Sequence, residues 1–380
     1  MGINIKKTGK AYLLIVSALL LMWLLPRLYY IITVKSYSTP FTLYSCVVKD
    51  FVSLEDKSGK DYVFVDSQGQ MYADSVLPFF YYRLLSSRGN VVEKIAGHEF
   101  TGEQIEEGNV IFSSSPKDIN SDRPNVYMLM ESCPDRLELE DPQYALVFRK
   151  DRLRIVEVEG NRFEESLESA FGQALDSLGF KYPAGLVAGN PSTRKSYDEG
   201  YLITDADGDL FHLKMARKAP VVERIARGGV DISHLYITEN ANHATLGYIF
   251  DNDGKLYILD SLRRMLPTDV VADVTRQDIL IVGDVLNYTV RVSDSDGEDF
   301  WALNTGTFDT VRTFRRDYED DEAFDLPAYL LPARLSVSTS MSSYITPRLV
   351  DFSWAGLGVD VVLIAAVIAV AALRHRKSIS

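Results

Sequence analysis

Three pairs of aspartates stand just ahead of a glycine in this chain of 380 residues: Asp205 and Asp207 before Gly208, Asp251 and Asp253 before Gly254, Asp294 and Asp296 before Gly297. Oxygen ligands at alternate positions before a turn glycine are what a hard cation such as calcium needs. In each case, however, the position that should supply the first ligand is apolar: Ile203, Ile249 and Val292. The competing reading is a tight hairpin turn, in which the first Asp accepts backbone N–H groups and the glycine supplies a positive φ. No metal site is assigned on this evidence. The six aspartates are the residues that would form one.

A second polar stretch, Gly189-Asn-Pro-Ser-Thr-Arg-Lys-Ser-Tyr-Asp-Glu-Gly200, is basic within an acidic neighbourhood. Asn190, Arg194 and Lys195 with nearby backbone amides could hold an anion there, or the stretch could be an ordered connection. It lacks the glycine that precedes Lys-Ser/Thr in a phosphate-binding loop. Phe79, Phe80, Tyr81 and Tyr82, followed by Arg83, form a run of aromatics that reads either as core or as a surface for a ligand or partner. Catalytic signatures are missing: the five histidines have no paired metal spacing, and there is neither a Gly-x-Ser-x-Gly nor a zincin motif. No catalytic residue and no cofactor is assigned. Cys46 and Cys133 are the sole cysteines; two in a domain this large could pair in an oxidising compartment but make no disulfide framework.

The elements that carry these residues read as short strands, with β-branched and aromatic runs separated by Gly, Asn and Asp clusters. One unit recurs around Asp66 and Gly69, Asp205 and Gly208, Asp251 and Gly254, and Asp294 and Gly297: a strand, an Asp-x-x-Gly turn and a returning strand. The last three glycines recur at intervals of 46 and 43 residues, a spacing that suits one four-stranded propeller blade per unit. Near Ser115 and Gly160 strand-like segments lack the turn, so an irregular sandwich or stacked hairpins is the alternative. The expected class is mainly β, irregular propeller-like or stacked-hairpin, with one amphipathic helix over about residues 162–178. Asn161 would cap that helix, Leu167, Phe171, Ala174 and Leu178 would form its inner face, and Gly179 would end it. The run Tyr318-Glu-Asp-Asp-Glu322 reads as a solvated loop.

Residues 11–34 are apolar apart from Ser17, Arg27 and Thr33. At ~1.5 Å per residue they would span roughly 36 Å, enough to cross a hydrocarbon core of ~30 Å. Residues 355–373 form a second apolar segment, stopped by Arg374, His375, Arg376 and Lys377. Bases at both tips, residues 1–10 and 374–380, place both ends in the cytoplasm and residues 36–351 outside. The net charge of −13, with bases concentrated at the tips, leaves an acidic middle that repels nucleic acid.

The Leu77–Leu84 aromatic run, Pro116-Lys-Asp-Ile-Asn-Ser-Asp-Arg-Pro124, residues 188–201 and residues 204–214 together resemble a family of Bacteroides-type bacteria, domain of unknown function 4857. The resemblance covers Pro40 to the end of the β region. It implies a Gram-negative inner-membrane protein facing the periplasm, often encoded beside ABC-transporter genes, with permease subunits as partners. It also implies small or apolar residues where Cys46 and Cys133 stand, which speaks against a structural disulfide. The expected function is a non-catalytic periplasmic accessory or sensor protein of an ABC-type transport system. The alternative is a membrane-tethered hydrolase or lyase on a propeller-like scaffold.

Overall fold

The computed structural model describes residues 5–33, 39–56, 62–89, 94–119, 125–318, 326–339, 345–350 and 352–379. The acidic run after Tyr318, the end of the Pro116–Pro124 motif and residues 1–4, 34–38, 351 and 380 lie outside the described residues. The chain divides into two compact units, Pro40–Tyr318 and the two terminal segments. The β unit thus ends at Tyr318, whereas the sequence reading carries it to residue 351.

The terminal unit begins with helix α1 (Ile5–Thr33). In the β unit, β1 (Thr42–Ser45), β2 (Asp50–Asp56), β3 (Tyr62–Asp66) and β4 (Met71–Tyr72) form the first sheet. A helical insert follows: α2 (Tyr82–Ser87), α3 (Gly102–Gly108), then β5 (Val110–Ser114) and α4 (Pro116–Ile119). The second sheet is β6 (Tyr127–Leu129), β7 (Tyr144–Phe148), β8 (Leu153–Glu157) and β9 (Arg162–Phe163). Helix α5 (Glu165–Ser177) leads to the third sheet, β10 (Val187–Gly189), β11 (Tyr201–Thr204), β12 (Leu210–Ala216) and β13 (Ala219–Ile225). The fourth is β14 (Ile232–Ile237), β15 (Thr245–Asp251), β16 (Lys255–Asp260) and β17 (Met265–Val271). The fifth is β18 (Asp278–Gly283), β19 (Asn287–Ser293), β20 (Gly297–Asn304) and β21 (Thr310–Asp317). Each sheet is an antiparallel meander in chain order, and β5 adds a fifth strand to the last, pairing Ser114 with Ile279 and Val110 with Gly283. The unit is mainly β, and among the described residues no sheet closes into a barrel.

Strand alternation explains how the sheets share cores, because neighbouring residues point to opposite faces. On β11, Ile203 packs with Leu146, Ile155 and Phe171 from the second sheet and α5. Its neighbour Leu202 packs with Leu246 and Leu259 of the fourth sheet. On β15, Ile249 joins that same core, while Tyr248 and Phe250 pack with Ile281, Val290 and Leu303 of the fifth sheet. Phe51 and Tyr44 of the first sheet meet Phe300 and Ala302 on β20. The sheets therefore pack in the order second, third, fourth, fifth, first, and the inner ones are buried on both faces. This is why β11 and β15 read as continuous apolar runs.

Three of the four Asp-x-x-Gly turns follow the expected chemistry. Gly69, Gly208 and Gly254 have φ of 82°, 77° and 80°, and Asp66, Asp205 and Asp251 each accept two N–H groups of their own turn through Oδ1. Gly297 departs from the pattern. Asp294 caps its turn, but Gly297 is the first residue of β20 with no positive φ, and a Cβ there would lie 2.5 Å from the Arg316 carbonyl oxygen. Close approach of β21, not turn conformation, requires that glycine. Gly69 differs in place: it joins the third and fourth strands of its sheet, whereas the other three join the second and third. The second sheet supplies the unit missing from the repeat, with the turn Arg149–Arg152 replacing Asp-x-x-Gly.

Helix α5 starts later than expected. Arg162 and Phe163 form β9 against Glu157 and Val156, Asn161 sits in the preceding turn at φ 46°, and Glu164 takes the N-cap position without a side-chain cap. Phe171 and Leu175 are fully buried, with Leu167 and Leu178 packed beside them. Gly179, at φ 77°, ends the helix as the sequence indicates.

In the terminal unit, residues 12–33 of α1 are long and apolar enough to cross a membrane. After β21 come α6 (Leu326–Leu330), the hairpin β22 (Arg334–Thr339) and β23 (Ile345–Val350), and helix α7 (Trp354–Ile379). The Arg334 guanidinium lies 4.8 Å from the ring centre of Tyr30 on α1. Gly356 on α7 approaches Leu331 so closely that a Cβ would sit 2.1 Å from its carbonyl oxygen.

Candidate functional site

The aromatic run stays together only in part. Pro78 to Tyr81 lie between a short helical turn and α2; Phe80 and Tyr81 remain edge to face with ring centres 5.0 Å apart, while Phe79 and Tyr82 pack elsewhere. Phe79 is buried with Ile95 and Ile105, its ring 5.3 Å from Phe100. Tyr81 packs edge-on to Phe64, and Phe80 is exposed. The Tyr82 hydroxyl lies 3.0 Å from where a Cβ on Gly102 would project. Arg83 points to solvent and pairs with Glu106 at 3.0 Å. Of the four rings Phe79 alone is fully buried, Tyr81 and Tyr82 are half-buried, and Phe80 with Arg83 remains on the surface.

Phe79 and Phe80 instead line one wall of a small cleft whose other walls come from Leu43 and Cys46, Asn109, and Asp284. The chamber is about 20 Å³, enough for one water-sized group. Asp284 ends β18 and caps the turn into β19, its Oδ1 accepting from the N–H groups of Leu286 at 2.7 Å and Asn287 at 2.8 Å. Oδ2 has no hydrogen-bond or ion-pair partner among the described residues. Burial raises the Asp284 carboxyl to about 6, with the two backbone N–H groups opposing the rise. Burial, reinforced by the Asp284 charge, pushes the Cys46 thiol up to about 12. Such a thiol stays protonated at neutral pH and is a poor nucleophile. Cys46 and Cys133 are both free.

The loop between β10 and β11 builds the densest charged cluster. Lys195 Nζ donates to the Asn190 carbonyl oxygen (2.5 Å), Asp198 Oδ1 (2.6 Å) and Glu239 Oε1 (2.5 Å). All three side chains are almost sealed from water, at 7%, 3% and 2% exposure. An ammonium has three N–H donors, and all three are used. Lys195 thus ties its own loop to the β14–β15 connection, and a bound anion there would have only exposed Arg194 and backbone amides. Asn190 Nδ2 donates to Glu239 Oε2, Glu199 N to Glu239 Oε1, and Ser132 Oγ to Asp198 Oδ2. Burial raises the Glu239 carboxyl despite the Lys195 hydrogen bond that opposes it.

A second shell of charge adjoins the first. Lys214 reaches Glu199 at 2.8 Å, and Arg263 pairs with Glu223 at 3.0 Å. His212, fully buried between them, contacts the Glu199 carbonyl oxygen through Nε2 at 2.6 Å and Arg263 Nη2 through Nδ1 at 3.2 Å. Arg263 can only donate, so Nδ1 accepts and Nε2–H donates, which makes the imidazole neutral. Burial, chiefly, lowers its pKa in agreement. Glu239, Ser132 and Arg263 escaped the sequence reading because they lie far along the chain from Lys195. The signal was the density of charge in residues 194–199 beside strands otherwise apolar.

The six aspartates of the candidate cation turns are separated. Asp205, Asp251 and Asp294 spend Oδ1 on their own turns, Tyr257 donates to Asp251 Oδ2, Gln277 Nε2 donates to Asp294 Oδ2, and Asp207 pairs with Lys181. Asp253 and Asp296 follow on their turns, each donating its N–H to the leading aspartate. Among the described residues no three His, Cys, Asp or Glu side chains gather as a metal site would need.

No curated protein matches this sequence. Among solved structures, the chain is similar to dihydro-heme d1 dehydrogenase NirN in complex with DHE, with a TM-score of 0.25, 9% identity and 62% of each chain covered. It is also similar to PorZ, an essential bacterial surface component of the type-IX secretion system of Porphyromonas gingivalis, with a TM-score of 0.24, 11% identity, 84% of this chain and 39% of that one covered. This chain spans less than two thirds of the length of either. Likeness at that level carries no functional argument. The sequence family is a different matter: Domain of unknown function (DUF4857) matches residues 41–303, and the chain belongs to that family.

Proposed function

We propose that this chain is a membrane-anchored accessory or sensor protein whose β unit stands on the periplasmic side of the inner membrane and binds a partner there without catalysing a reaction. The observation that carries the reading is the surface of α1. Tyr12, Leu13 and Leu14 are 70%, 66% and 70% exposed, and Ile31 and Ile32 are more than two-thirds exposed. Leaving side chains of this kind in water forgoes roughly 1.5–3 kcal/mol each, so a helix clothed in them calls for a lipid environment. Helix α7 carries the same kind of surface from Trp354 to Leu363 and ends in bases, which supports a second span with both tips cytoplasmic.

The five four-stranded meanders, each packed face to face with the next, support an irregular propeller-like array. Against the hydrolase or lyase alternative stand a protonated Cys46 thiol and a Lys195 whose donors are all engaged. The partner we propose is the permease of an ABC-type transporter, on the strength of the gene neighbourhood that the family resemblance implies. Purification of the full chain from its own membranes in mild detergent, with identification of what accompanies it, tests this. Co-purification of a permease is expected; a chain that elutes alone from membranes that contain the permease would overturn the partner.

A further inference from the structure

Each of the two apolar helices carries a single charge between its ends: Arg27 in the Tyr12–Thr33 stretch of α1, and Asp360 between Trp354 and Leu373 of α7. Their depth in a bilayer follows from length. Along continuous helix, Lys10 to Arg27 is 17 residues and Asp360 to Arg374 is 14 residues, about 26 Å and about 21 Å. Both distances fall short of a hydrocarbon core of ~30 Å. A helix that spans from those cytoplasmic bases therefore holds its charge inside the far boundary, and the two depths differ by about 5 Å, which an extended Arg side chain covers. The structure brings the far ends of the two helices to one short linker: Leu331 lies against Gly356 of α7, and Arg334 lies 4.8 Å from the Tyr30 ring of α1. Arg27 can climb toward the headgroups, but the short Asp360 side chain cannot, and an ionised group at that depth is costly unless it is paired. Among the described residues neither charge has an ion-pair partner within the chain; the Arg27 guanidinium has the Trp23 ring beside it, 5.6 Å from its centre.

We propose that Arg27 and Asp360 join two copies of this chain within the membrane, Arg27 of each copy meeting Asp360 of the other. The inference rests on the membrane-anchored reading of α1 and α7. A two-fold axis along the membrane normal moves a residue sideways without changing its depth. A charge on one copy can therefore meet an opposite charge on the second when the two stand at the same level, and the symmetry then forms the pair twice. Arg27 and Asp360 meet that condition. Apolar side chains give a helix little preference for another helix over lipid tails that are equally apolar, so the two ion pairs are what select the second copy. A permease would have to present both an acid and a base at this depth, whereas a second copy of this chain brings both.

The test co-expresses the full chain under two affinity tags and asks whether, after extraction in mild detergent, one tag retrieves the other. Native chains are expected to retrieve each other. Arg27→Leu and Asp360→Leu make their helices more apolar and so keep them in the membrane, but each should lose retrieval of its own kind. Arg27→Asp under one tag with Asp360→Arg under the other is the sharper combination. Each of these alone sets like charges opposite one another and should fail, whereas together they form two ion pairs and should recover. An ion pair between α1 and α7 of the same chain predicts no recovery, because each chain still holds two like charges. Where the charged variants do not reach the membrane, Arg27→Leu with Asp360→Leu takes their place, keeps one pair between the two chains and should recover in part. Native chains that do not retrieve each other, native-level retrieval by either leucine variant, or no recovery in the mixed pair would each overturn the inference. Alkaline carbonate washing separates it from the reading beneath it: a chain released from membranes loses the anchor and the pairing together, and a chain that stays in them without retrieving its like loses the pairing alone.

Discussion

Replacing Lys195 with Met removes the one cation from between two sealed carboxylates while keeping most of the side-chain volume. Asp198 and Glu239 would then share a pocket that excludes water, at 3% and 2% exposure, with hydrogen bonds from Ser132, Gly200, Asn190 and Glu199 as their remaining support. Breaking a buried ion pair by deleting one member costs about 3–5 kcal/mol, mostly because of the charge left behind. For a β unit somewhat larger than 250 residues, each kcal/mol shifts Tm by roughly 2 °C, so the expected fall is roughly 6–10 °C by circular dichroism of the full chain in detergent. The pH dependence has a definite sign. Burial already raises the Glu239 carboxyl, and without Lys195 its folded-state pKa rises further while the unfolded value stays. The loss is therefore full above the folded pKa and shrinks as pH falls through it towards the unfolded one. Adding Asp198→Asn and Glu239→Gln to Lys195→Met removes the stranded charges and should restore much of the stability at neutral pH. A Tm for Lys195→Met within about 2 °C of the native value, with no dependence on pH, would refute the claim that this cluster holds the loop.

Gly254→Ala should destabilise more than Gly208→Ala: both glycines have positive φ, but only at Gly254 would a Cβ meet backbone, 2.7 Å from the Ala272 carbonyl oxygen. The left-handed conformation alone costs an L-residue roughly 1–2 kcal/mol, which is the loss expected at Gly208, and equal losses at the two sites in urea unfolding would contradict the difference. Millimolar calcium or its chelation should leave Tm unmoved, because the leading aspartates are engaged by their own turns; saturation at about 100 times Kd would raise stability by roughly 2.7 kcal/mol. Asp284→Asn should stabilise the fold above pH 6 and become neutral below pH 4. A carboxyl raised from 3.8 to about 6 loses the native chain on the order of 2–3 kcal/mol as pH rises through that window, and the opposite trend in Tm against pH would show that Asp284 has an unseen cation.

The turns were legible because their chemistry is local. Asp66, Asp205 and Asp251 cap within four residues of themselves, and a four-residue motif contains all the information needed. The same holds for the stop of α5 at Gly179. Glycines in the same Asp-x-Asp-Gly motif nevertheless answer to different geometry: Gly297 is required by the Arg316 carbonyl of the next strand, a contact 19 residues away that no motif encodes. The start of α5 was misread because Arg162 and Phe163 gain more by pairing with β8 than by extending the helix. Lys195 was visible as a base in an acidic chain, but its role depends on Glu239, placed against it only by the pairing of β14 with β15. The insertion of β5 into the fifth sheet is of the same kind, since it closes on β18 across most of the unit. Asp284 has an unremarkable sequence setting, and its place beside Cys46 emerges only when the first and fifth sheets pack.

The most direct test of the membrane-anchored account uses the chain's own thiols. Cys133 is exposed on the β unit, and Cys46 is partly buried and held protonated, so a maleimide should modify Cys133 first. In cells with a permeabilised outer membrane and an intact inner one, a membrane-impermeant maleimide should label Cys133 fully, while a cysteine substituted for Ser380 in a Cys133→Ser background should label only after lysis. Protection of Cys133 until the inner membrane is broken would place the β unit in the cytoplasm and contradict the account.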